Sequence, residues 1–292
     1  ILAAVREKDF DALPGYMAEA AREAFQTLLH TKDGQLCDMI VDRAALEAVY
    51  EAGQKSKAPV IRDYAEAFVA SADIRIATRC QKTGKSESFI RRALAPCAAL
   101  SVEDLARAAA AGEQELTAYL KSTAYAGAAD ALSVSQSEFD RWCDNQVIEA
   151  MKPQKYNPFS VGPLVAYALA RENEIKTVRI ILSGKRTDYE ACVSFLLEKG
   201  WGGADTPRDG EAILAKEREK TWADIRELTP DMSVFQFLDY ANVFHNLKAA
   251  VKEVCTGTKV EHIYYKDTKP SAEEILAAVR EKDFDALPGY MA

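Results

Sequence analysis

The chain has 292 residues, 48% hydrophobic and 28% charged, with 37 Lys and Arg against 45 Asp and Glu and a formal charge of -8. That length buries a large core, fits a two-unit chain at about 150 residues per domain, and carries no low-complexity tract of the kind that stays disordered. The acidic balance argues against nucleic acid as a partner, since polyphosphate binding is driven by basic surface.

Residues 1–18, ILAAVREKDFDALPGYMA, recur letter for letter as 275–292. Identity this complete is not an ancient duplication. The second copy follows Pro270, Ser271 and Glu274, with Ser and Glu spaced as a capping box, a helix start that the first copy lacks. The first copy runs on into Ala21, Ala24, Phe25, Leu28 and Leu29, an i, i+3, i+4, i+7, i+8 stripe. Overlaying the copies places 188–274 ahead of 1–187, so the numbering reads as a circular permutation with an overlap. Two copies cannot both fill one native site; one dangles or swaps into a neighbouring molecule.

Further along, a Tyr-bearing helix leads three times to an acid or amide, an aliphatic and a base, and then to Gly and Lys. The sets are Tyr64, Asp73, Ile74, Arg75, Gly84 and Lys85; Tyr167, Glu174, Ile175, Lys176, Gly184 and Lys185; and Tyr240, Asn246, Leu247, Lys248, Gly257 and Lys259. Each Gly is expected to end its helix in the left-handed conformation, with Lys answering the C-terminal dipole. The interval from Gly84 to Gly184 is 100 residues and that from Gly184 to Gly257 is 73, so the shorter one, holding 187–189, reads as a fused and trimmed junction. Helical stripes recur at Leu214, Trp222, Ile225 and Leu228 and at Phe244, Leu247, Val251 and Val254. Breaks are expected at Pro14 and Gly15, 32–34, Pro96, 153–163, 200–210 and Pro230. Residues 260–265 alone read as a short extended piece.

The longest apolar stretch, 161–170, is short and interrupted by Gly162 and Pro163, so no bilayer crossing is expected, and no basic and apolar leader points to secretion. Six cysteines at 37, 80, 97, 143, 192 and 255 lack a CxxC pair and read as reduced structural thiols. Gly84, Lys85 and Ser86 end like a phosphate-binding loop, but the required earlier Gly is Arg79 and the segment follows a helix, so no nucleotide binding is expected. His30, His245 and His262 share no helical face with another His or Cys, and Asp38, Asp42, Glu47, Glu172 and Glu174 read as helix-surface acids, with Glu172 one turn from Lys176. No catalytic, cofactor or metal site is expected.

Residues 157–186, NPFSVGPLVAYALARENEIKTVRIILSGKR, resemble the signature of the C-type subunit family (d in eukaryotes) of V/A-type ATPases, a proline-led Y-x-L-A-R/K-E-x-E-I-K helix followed by R-I-I-L-S-G-K. Residues 35–50, Arg62 to Tyr64, 73–85 and 239–252 resemble the same family, in the order the overlay restores; the family's first helix and its tail after Ser-Gly-Lys are missing. The resemblance implies an all-α fold of three similar helical domains forming a funnel: 1–85, 86–187 and 188–274, with 275–292 duplicating 1–18. It implies a non-catalytic coupling subunit without cofactor, peripheral on the cytoplasmic face of a membrane. Its partners would be the central-stalk subunits and the proteolipid rotor ring. Lys176, Arg179, Lys185, Lys248 and Lys252 are the candidate partner contacts. A generic helical-repeat scaffold is the alternative reading, and a helical enzyme would require carboxylates or histidines converging in one cavity.

Overall fold

The computed structural model describes residues 8, 10, 15–184, 188–203, 205–229, 231–258, 263–265 and 268. Its regular elements, among these residues, are all helical: α1 (Gly15–Thr31), α2 (Gly34–Lys55), α3 (Pro59–Lys82), α4 (Glu87–Ala93), α5 (Val102–Ala111), α6 (Glu113–Lys121), α7 (Ala126–Val134), α8 (Gln136–Met151), α9 (Gly162–Gly184), α10 (Tyr189–Glu198), α11 (Gly210–Leu228) and α12 (Tyr240–Thr256). Short 3-10 turns occupy Lys152–Tyr156 and Ser233–Leu238.

Polar residues explain where these helices begin, two of them, Asp33 and Asp209, at expected breaks and two, Ser86 and Ser101, outside them. The carboxylate of Asp33 accepts from the Gln35 and Leu36 amides at α2, Ser86 from Phe89 at α4, Ser101 from Asp104 at α5, and Asp209 from Ala212 at α11. Each satisfies a donor that the helix start leaves open. Two of the three pattern glycines end helices in the left-handed conformation, Gly84 at φ 62° and Gly257 at φ 68°. Gly184 closes α9 without adopting it. Residues 260–262 lie outside the described residues, and 263–265 form no strand.

Packing groups the described residues into two compact units, the first drawn from 8–56, 64–146 and 236–268 and the second from 57–63 and 147–235. In the first unit α1, α2 and α12 bury Ala21, Ala24, Phe25 and Leu28 with Ile40, Val41, Phe244, Leu247 and Val251. A neighbouring cluster joins Ile74 and Ala77 of α3 to Ile90, Leu105, Leu120 and Phe139. The second unit is organised around Ile175 and Leu182 of α9, Val193 and Leu196 of α10, and Ile213 and Leu214 of α11. The stripes hold except in the last turns of α1 and α11, where Leu29 and Leu228 are exposed.

α12 packs on α1 and α2 although more than 180 residues of numbering intervene. In the overlaid order the three are consecutive, because α12 is followed by the repeated segment that leads into α1. Of the first copy, Phe10 and Met17 are buried in the same core. The second copy, 275–292, and the junction residues 185–187 lie outside the described residues.

Candidate functional site

The candidate contact bases Lys176, Arg179, Lys248 and Lys252 stand on helices whose opposite sides are core. On α12, Leu247 and Val251 point inward and Lys248 and Lys252 follow them in sequence, on the flank that meets α2. Lys248 donates to Asp42 at 2.6 Å and Lys252 to Oδ2 of Asp38 at 2.8 Å, with Oδ1 at 2.7 Å. On α9, Arg179 grips both oxygens of Glu211 of α11 at 3.0 to 3.2 Å, and Lys176 is exposed one turn earlier. Lys185 lies outside the described residues. The structure therefore brings Lys248 and Lys252 together on one helix pair and Arg179 and Lys176 together on another.

The α9 and α11 pair carries a longer ionic ladder. Arg218 donates to Glu172 at 2.7 Å, so that acid pairs across the helices. Arg171 engages Glu174 and the buried Glu217, which also accepts from Lys220 and from the Gly202 amide at 2.8 Å. Burial opposes the charge on Glu217, but Lys220, the Gly202 N–H and Arg171 outweigh it and hold the carboxyl below its ordinary range. Tyr167 donates to Asp224 at 3.1 Å.

Two positions of the threefold pattern act as anchors for returning chain. Asp73 on α3 is 1% exposed and accepts the Ala95 amide at 3.1 Å, beyond the Gly84 cap. Burial pushes its carboxyl up to about 8 against the pull of that amide and of Arg43. Asn246 on α12 accepts the Tyr265 amide at 2.8 Å and donates to the Tyr265 carbonyl and to Thr268 Oγ1, beyond the Gly257 cap. A short polar side chain inside the helix thus catches backbone that returns past it, after one further short helix for Asp73 and after the Gly257 cap for Asn246. Glu174 instead faces solvent and pairs with Arg171.

The phosphate-loop lookalike resolves into two caps. The Lys85 amide donates to the Cys80 carbonyl at 3.0 Å, Lys85 Nζ reaches Gln35 Oε1 at 2.7 Å, and Ser86 starts α4. His245 Nε2 lies 3.0 Å from the Ile263 carbonyl; His30 sits in the last turn of α1, and His262 is outside the described residues. Among the described residues no group of His, Cys, Asp and Glu is arranged to hold a metal ion. All six cysteines are free thiols, and burial pushes Cys37, Cys97 and Cys143 up to about 12. No described helix is long and apolar enough to cross a membrane.

A family model described as ATP synthase (C/AC39) subunit matches residues 1–191, ending just past the junction that the repeat implies; 239–252 lies outside the match. The C-type subunit of the V-type sodium ATPase of Enterococcus hirae is 31% identical over 81 residues, which is 28% of this chain and 25% of that relative. The alignment thus spans about a quarter of that relative's length. No solved structure matches.

Proposed function

The chain belongs to the ATP synthase (C/AC39) subunit family, and from that premise we propose that it is a non-catalytic coupling subunit of a V/A-type rotary ATPase, seated between the central stalk and the proteolipid rotor ring. The family match over 1–191 carries this reading. The packing is in keeping with it: torque needs a stiff body, and close-packed helices tied by ionic ladders transmit strain without yielding. Three kindred helical blocks, 1–85, 86–187 and 188–274, arranged as a funnel suit a part that receives a shaft at one end and rests on a ring at the other. Kinship of sequence blocks and compactness of packing are separate properties, so two compact units and three related blocks are compatible. In this role the chain sits peripherally on the cytoplasmic face, held by protein partners.

Lys176, Arg179, Lys185, Lys248 and Lys252 are the bases proposed to meet acidic partner surface. Exposed ion pairs such as Arg179 with Glu211 contribute about 0 to 1 kcal/mol, so exchanging an internal carboxylate for a partner's costs little. The test is co-elution of the full chain with purified stalk subunits and with the detergent-solubilised proteolipid ring of a V/A-type enzyme. Binding to both supports the proposal; failure to bind either one, by a chain with intact helical circular dichroism, overturns it.

A further inference from the structure

Between α8 and α9 the chain makes a short loop, 152–161, that carries two large aromatic side chains into solvent: Tyr156 is 76% exposed and Phe159 99%. A single exposed aromatic is ordinary on a protein surface; this pair is set apart by how the loop holds it. The Asn157 N–H donates to the Gln154 carbonyl at 3.1 Å, and the Asn157 carbonyl accepts the Ser160 N–H at 3.3 Å and the Ser160 hydroxyl at 3.0 Å. Ser160 Oγ in turn accepts the Gly162 N–H at 3.1 Å. Pro153, Pro158 and Pro163 carry no N–H and fix the backbone at three points. At the base Gly162 lets the two ends of the loop meet, since a Cβ there would lie 2.9 Å from Ser160 Oγ and 3.2 Å from Gln154 Cβ. Phe159 is thus the third residue of a hydrogen-bonded turn, 157–160, on a braced loop, and its exposure is built in.

The charges within this stretch have one sign. From 150 to 171 the sequence holds Lys152, Lys155 and Arg171 and no Asp or Glu, in a chain whose acids outnumber its bases by 45 to 37. Lys155 Nζ lies over the Tyr156 ring, 4.7 Å from its centroid, and Lys152 engages Glu149 in the last turn of α8. Lysine is depleted where proteins meet proteins, whereas lysines beside aromatic rings flank lipid: the rings enter the headgroup layer and the ammonium groups stay at its phosphates. The loop's own turns pair backbone groups that would otherwise lose water unpaired on approaching lipid, and the bracing leaves little ordering entropy to lose.

We propose that the 152–161 loop docks on the interfacial layer of an anionic phospholipid bilayer, with Phe159 and Tyr156 among the headgroups and Lys155 and Lys152 at the phosphates. The contact is a reversible adsorption, because two rings and two lysines fall short of a stable anchor. It is independent of the coupling role.

The experiment sediments the full chain with vesicles of phosphatidylcholine containing about one-third phosphatidylserine, and with vesicles of phosphatidylcholine alone, at low ionic strength. The parent sediments with the anionic vesicles, and its bound fraction falls several-fold with neutral vesicles or when salt is raised to about 1 M. Phe159→Ser and Lys155→Glu each lower the partition coefficient about fivefold or more. Val134→Ser, at an exposed apolar residue of α7, leaves it unchanged. All three positions are exposed, so each variant keeps the helical circular dichroism of the parent. The proposal is overturned if the parent does not sediment with anionic vesicles, or if Phe159→Ser and Lys155→Glu sediment as the parent does. It is equally overturned if these two variants lose binding only to the detergent-solubilised proteolipid ring, since the loop then docks on protein. The vesicles hold no ATPase subunit, so either result leaves the test of the coupling role separate.

Discussion

Asp73 is a buried carboxyl whose chemistry departs from that of the surface acids. Its folded pKa, pushed up to about 8 by burial, lies above the unfolded value of about 3.9, so the folded chain keeps it neutral while the unfolded chain ionises. Stability from this group is fully present below about pH 4, declines as pH rises to about 8, and is flat beyond. Asp73→Asn keeps an oxygen for the Ala95 amide and removes the titration. Urea denaturation should therefore show the variant gaining on the parent between pH 4 and pH 8, by on the order of a few kcal/mol. Asn246→Ala has the opposite sense: it leaves the Tyr265 amide and carbonyl without their partner and should lower stability by about 1–3 kcal/mol at pH 7. The spacing in the sequence made both positions visible, but not their job. What they hold is chain about 20 residues away, at Ala95 and Tyr265, and periodicity within a helix says nothing about where the returning backbone passes.

The helices themselves were legible because apolar residues recur every three to four positions and capping residues stand at the breaks. Ser86, Ser101 and Asp209 start helices where polar residues follow a Gly or Pro signal, and Phe244, Leu247 and Val251 form the inward face of α12. The candidate bases were legible as residues on polar faces and illegible as partners of Asp42, Asp38 and Glu211, because those pairings appear only when distant helices dock. Lys248→Ala should accordingly cost the isolated chain less than about 1 kcal/mol in a denaturant titration, while weakening the proposed stalk or ring association. A close approach of helices was also invisible. A Cβ on Gly127 of α7 would lie 2.7 Å from the indole nitrogen of Trp142 on α8, a rigid neighbour buttressed by the edge of Tyr125. Gly127→Ala should thus lower stability by about 1–3 kcal/mol despite the better helix propensity of Ala, as thermal melting would show.

At the scale of the molecule, α12 lies beside α1 and α2 with Lys248 and Asp42 206 residues apart in the numbering. Rejoining the chain as 188–274 followed by 1–187 makes these helices sequential neighbours and shortens the loop that folding must close. The rejoined chain should show the same helical circular dichroism and refold at least as fast as the present one in stopped-flow measurements; loss of helicity would mean that the present connectivity is required. The thiols offer a further handle on the folded whole. With Cys37, Cys97 and Cys143 held near 12, hardly any thiolate exists at neutral pH, and alkylating reagents find almost nothing to attack. Cys37 and Cys143, both buried, become reactive only when the helices around them part, so mass-resolved labelling over time would serve as a pair of built-in clocks, timing how often each region breathes.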